Sequence, residues 1–96
     1  MNESERQKFN RVLDDFRETE ITTQFELDMY FGFARNILAG HHTELSLTGN
    51  AFHVRFSANG VAIEYLWLDE DALDMSLQAF LDFLAGVDTA PTRQDR

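Results

Sequence analysis

A chain of 96 residues with 44% hydrophobic and 12% aromatic side chains, nine Phe among them, carries enough apolar matter for one small core. With no Cys, it excludes disulfide frameworks, thiolate zinc sites and cysteine nucleophiles. Its 17 acids against 8 bases, a formal charge of −9, oppose binding to nucleic-acid phosphates and favour a partner with a basic surface.

The first predicted element covers about residues 4–18, where Phe9, Val12, Leu13 and Phe16 form the i, i+3, i+4, i+7 stripe of an amphipathic helix. Ser4 and Gln7 have the spacing of a capping box. The next segment reads two ways. From Ile21 to Phe33 every odd position except Thr23 is apolar, as in a strand, but an unbroken strand from Ile21 to Leu38 is improbably long. A helix over about 24–39 gathers Asp28, Gly32, Arg35 and Asn36 on one face, takes Thr23 and Glu26 as its capping box and ends at Gly40.

Period-two alternation then follows in Leu45 and Leu47, in Phe52, Val54 and Phe56, and in Val61, Ile63, Tyr65 and Trp67. Asn59-Gly60 is a strong hairpin signal, and Gly49-Asn50 is a second two-residue turn. Two-residue loops at both places set Arg55 opposite Glu64 on one side and Glu44 on the other, and Phe52 opposite Trp67. That register buries Trp67 under the helices and leaves Ser46, Thr48, His53, Arg55, Glu64 and Leu66 on an outer, polar face. A last helix carries Leu77, Phe80, Leu81 and Leu84, with Asp74 or Ser76 as cap and Gly86 as stop. The expected fold class is α+β: a three-stranded antiparallel meander with helices packed on one face, in the order α-α-β-β-β-α. It forms a single domain over residues 1–88, followed by a flexible tail over 89–96.

Sites for chemistry are weakly marked. His41 and His42 point to opposite sides of a strand, and His53 has no zinc-ligand spacing to either. The run Asp69-Glu70-Asp71-Ala72-Leu73-Asp74 lacks the glycine and the terminal glutamate of a calcium loop. There is no phosphate-cradling glycine loop and no Gly-x-Ser-x-Gly elbow, so the chain reads as a binding protein without catalytic residues, metal or cofactor. The uneven charge is more informative. No Lys or Arg lies between Phe56 and Thr92, whereas that stretch holds seven acids. The candidate partner-binding residues are therefore Glu64, Asp69, Glu70, Asp71 and Asp74.

The run FSANGVAIEYLWLDEDALDMSLQAFLDFLAGV resembles the C-terminal part of immunity proteins of bacterial contact-dependent growth inhibition. The residues that carry the likeness are Asn59, Gly60, Val61, Ile63 and Glu64, then Met75 (in place of a more usual leucine), Ser76 and Leu77. The resemblance covers about a third of the chain. It implies a small cytoplasmic antidote, favoured as a monomer, that binds and occludes one toxin domain, often a nuclease. An acidic secretion chaperone, which would hold an extended effector segment at its grooves and sheet edges, is the competing expectation. No apolar run approaches the roughly 20 residues of a membrane-spanning helix, and the opening Met-Asn-Glu-Ser-Glu has no signal-peptide character, so a cytoplasmic setting without membrane is expected.

Overall fold

The computed structural model describes residues 2–87, so the expected tail over 89–96 lies outside the described residues. The chain runs α1 (Glu3–Glu20), α2 (Gln24–Leu38), β1 (Glu44–Thr48), β2 (Phe52–Ser57), β3 (Gly60–Tyr65), β4 (Leu73–Met75) and α3 (Leu77–Ala85).

α1 begins earlier than its Ser4–Gln7 spacing suggests. Asn2 is the cap: its side chain accepts from the Glu5 N–H at 2.8 Å, and the Glu5 carboxylate accepts from the Asn2 N–H at 3.0 Å. Glu at the third position suits the positive end of the helix dipole, which favours this box over one closed by a glutamine. The stripe turns inward as its spacing requires, with Val12, Leu13 and Phe16 buried and Phe9 half-buried.

α2 resolves the ambiguous segment as a helix. Leu27, Tyr30, Ala34 and Ile37 share its buried face at helical spacing. Thr23 and Glu26 make the capping box, the Glu26 carboxylate accepting from the Thr22 and Thr23 N–H groups at 2.8 and 3.2 Å. The Thr22 N–H above all holds that carboxyl below its ordinary value. The helix stops where Gly40 adopts φ +79°.

Among the described residues the sheet has four strands, not three, in the order β1-β2-β3-β4, all antiparallel. The missed strand is β4, which sits inside the acid-rich run. Leu73 and Met75 are half-buried against the core while Asp74 between them is exposed, a three-residue alternation too short to read by pattern. Asp74 is thus the centre of a strand, and the α3 cap is Ser76, whose hydroxyl accepts from the Ala79 N–H at 3.0 Å.

Both hairpin registers are displaced by two residues from the expected ones. Arg55 lies opposite Ser46 and Ala62, Glu64 lies opposite His53, Glu44 lies opposite Ser57, and Phe52 lies opposite Tyr65. A turn centred on Asn59-Gly60 needs positive φ at both residues, but among the described residues only glycines have it, here Gly60 at +134°. The turn is instead Ala58-Asn59, with Ser57 opposite Gly60 as the closing pair. Gly60 has a second role, because a side chain there would collide with the Met75 carbonyl oxygen of β4. The other loop moves likewise to Asn50-Ala51, closed by the Gly49 N–H donating to the Phe52 carbonyl at 2.9 Å.

A two-residue displacement preserves the face of every side chain. Phe52, Val54, Phe56, Val61 and Ile63 therefore point into the core, as the alternation requires. There Phe16 meets Tyr30, Phe52 and Phe80 edge-to-face, with ring centroids 5.1, 5.5 and 6.1 Å apart. Helices α1, α2 and α3 all lie on this side. α2 packs on β1 and β2, α3 packs on β3, and α1 reaches the sheet through Phe16 against Phe52. The other face of the sheet is left without a covering helix among the described residues.

Among the described residues one charged side chain is buried in this arrangement. Glu20, the last residue of α1, is 3% exposed. Its carboxylate accepts from the backbone N–H groups of Asn50 at 3.0 Å and Ala51 at 2.6 Å, fastening the β1–β2 turn to the end of the helix.

Candidate docking surface

Strand β3 ends at Tyr65; after one further cross-strand bond, from the Leu66 N–H to the Ala51 carbonyl at 2.9 Å, the chain leaves the sheet and re-enters it as β4. Tyr65 anchors this end of the strand. Its ring packs on Phe52 at 4.4 Å between centroids, and its hydroxyl donates to Asp15 on α1. Burial first, then this bond and the Asp15 charge, push the Tyr65 phenol up to about 12.

Beyond that anchor the alternation fails. Tyr65-Leu66-Trp67-Leu68 places four apolar side chains in succession, and a strand can bury only every second one. Leu66, Trp67 and Leu68 are 37, 78 and 52% exposed. Trp67 is therefore not a core residue opposite Phe52, contrary to the expectation from the sequence. The signal that would have found it was the broken period.

The acids follow immediately. Asp69, Glu70 and Asp71 are exposed and consecutive, but α1 has come to meet them. Arg11 pairs with Glu70 at 2.8 Å, and the Lys8 ammonium donates to the Asp71 backbone carbonyl at 3.0 Å. The stretch without basic residues in the sequence is thus not free of them in space. Both side chains of the Arg11–Glu70 pair are partly solvated, so its worth is modest, about 0.2–1 kcal/mol.

Glu64 and Asp74 belong to another surface. They lie on neighbouring strands and point to the outer face of the sheet, Glu64 opposite His53 and Asp74 opposite Ala62. The His53 ring contacts the Thr48 hydroxyl at 2.7 Å. A shallow depression of about 260 Å³ on this face is lined by Glu44, Arg55, Asn59 and Asp74 among others. Asp74 also borders a cleft of about 360 Å³ between β4 and α1, with Phe9, Lys8, Glu5 and Leu73. The five acids therefore do not converge on one point. Glu64 and Asp74 face the open side of the sheet, whereas Glu70 is turned toward α1.

Among the described residues no group of three or more His, Asp or Glu side chains could hold a metal ion. No helix among them is long and apolar enough to cross a membrane. His41 and His42 are exposed, the former touching the Asn36 side chain at 3.1 Å. Comparisons with family models, curated proteins and solved structures return no match for this chain.

Proposed function

We propose that this protein is a cytoplasmic immunity protein that binds and occludes a toxin domain with a basic surface, a nuclease in the first instance. The observation that carries the reading is Trp67, 78% exposed between the exposed Leu66 and Leu68, with three acids starting at Asp69. An apolar tip of this size leaves most of its surface in water in the folded monomer. Tryptophan is also the residue type most enriched among the anchors of protein interfaces. The adjoining carboxylates would speed encounter with a positive partner, and a nuclease cleft must be positive to attract its phosphate backbone. The sequence resemblance in residues 56–87 points the same way. Occlusion needs no catalytic group on this chain.

The experiment is capture of bound protein from the native host with the natural chain and with Trp67→Ala, followed by identification of the captured chain. A folded toxin domain retained by the natural chain and lost with Trp67→Ala supports the reading. An extended effector segment in its place would support the secretion-chaperone alternative, and equal retention by both chains would remove Trp67 from the interface.

A further inference from the structure

The two edges of the sheet are built differently. β4 is three residues long with Asp74 at its centre, and the pairing with β3 leaves only Asp74 with backbone groups directed away from the sheet. A short strand bearing a charge is a protected edge. β1 is five residues long, has no Pro, Lys or Arg, and carries its single charge, Glu44, at one end. Among the described residues no strand lies beyond it.

The hydrogen-bond parity of β1 is fixed by the Gly49 N–H to Phe52 carbonyl bond. Antiparallel ladders alternate, so Leu45 and Leu47 also bond to β2, and the N–H and C=O groups of Glu44, Ser46 and Thr48 point outward. We propose that this edge pairs with β1 of a second copy, antiparallel about a two-fold axis through Ser46.

The register closes on itself. Ser46 bonds reciprocally to Ser46 of the second copy, and Glu44 of each chain bonds to Thr48 of the other, which uses every outward group of the strand. On the helix side Leu45 falls opposite Leu47, both half-buried in the single chain. No like charges are opposed, since Glu44 faces a threonine. A two-fold pairing of this kind is the isologous contact that most dimers use. It lies at the opposite edge of the sheet from the loop between β3 and β4, so it does not depend on the proposed toxin contact. Each chain keeps its own core, which makes the dimer reversible; this departs from the expected monomer.

Two chains of charge −9 repel at long range, and added salt screens that repulsion. Self-pairing should therefore strengthen with salt, whereas a charge-steered contact with a basic partner should weaken. The test is sedimentation of the full chain over a range of concentrations at low and moderate salt. The mass should rise from one chain toward two with concentration, more readily in salt. Ser46→Pro removes an outward N–H that β2 does not use and should hold the mass at one chain. Ser46→Glu sets a carboxylate beside Arg55 in its own chain but opposite its copy across the axis, and should do the same with the fold intact by circular dichroism. In this cysteine-free chain Ser46→Cys reports the axis directly, because a hydrogen-bonded antiparallel pair separates Cα atoms by about 5.5 Å, within disulfide reach. It should form a covalent dimer under mild oxidation far faster than Asn10→Cys on α1. A single chain mass at all concentrations and salts would overturn the proposal, as would equal cross-linking at both positions or a dimer that survives both Ser46→Pro and Ser46→Glu.

Discussion

The Glu20 carboxylate fills the space that a side chain on Gly49 would need. The two are linked through the β1–β2 turn, whose Asn50 and Ala51 N–H groups bond to the same carboxylate. Glu20→Ala leaves both donors without that acceptor and should cost about 1–3 kcal/mol in denaturant unfolding. Gly49→Ala should cost a similar amount by pushing the carboxylate aside. With Glu20 already replaced by Ala, Gly49→Ala should be close to neutral. A double-mutant cycle measures that coupling, and simple additivity would contradict it.

Gly60 answers to two constraints at once, its φ of +134° and the approach of the Met75 carbonyl. Gly60→Ala should destabilise by more than about 1 kcal/mol, because backbone on both sides resists the shift. Hydrogen exchange should show the loss first at the amides of β4.

Trp67→Ala should leave stability within about 0.5 kcal/mol of the natural chain, as for a residue 78% exposed. Phe52→Ala, at a fully buried position, should cost about 3–5 kcal/mol. Thermal unfolding of the two variants side by side separates surface from core.

Alkaline pH should weaken the fold through its tyrosines. Burial first, then the charges of Glu20 and Glu26, raise the Tyr30 phenol, while Tyr65 is pushed up to about 12. Both values lie above the ordinary one of about 10, so the stabilisation is complete below about pH 10 and is lost as pH rises through the folded values. Melting temperature should decline over that window. Tyr65→Phe should flatten the decline and leave the share due to Tyr30.

Neutralising Asp69, Glu70 and Asp71 together with Asn, Gln and Asn should slow association with a basic toxin domain and flatten its salt dependence if these acids sit at the rim of the interface. Faster dissociation instead would place them at its centre. Unchanged binding kinetics at low and moderate salt would remove the loop from the interface.

The alternation in the sequence disclosed which side of the sheet each of Phe52, Val54, Phe56, Val61 and Ile63 occupies, and the structure keeps them there. It could not disclose their partners. Period two is blind to a slip of two, and the choice between turns rested on Asn59, whose φ is not positive. Leu73-Asp74-Met75 was hidden because three residues with an acid at the centre carry the composition of a loop. The Arg11–Glu70 contact spans 59 positions, and nothing local to either residue announces it. Glu20 gave no sign either, since an acid at the end of an amphipathic helix is usually solvated.

The ties from Arg11 and Lys8 to the loop over residues 66–72 also bear on how the Trp67 tip could be used. A loop free to sample many shapes surrenders that freedom when a partner seizes it, at about 0.5–1.5 kcal/mol for each rotamer-rich side chain immobilised. Here the helix has already pinned the loop at two points, so part of that ordering belongs to folding and not to recognition. Replacing Arg11 and Glu70 together by Gln keeps the net charge and hence the attraction at a distance, but removes one of the two ties and leaves the loop held by Lys8 alone. Such a chain should meet a basic partner as fast as the natural one and let it go sooner.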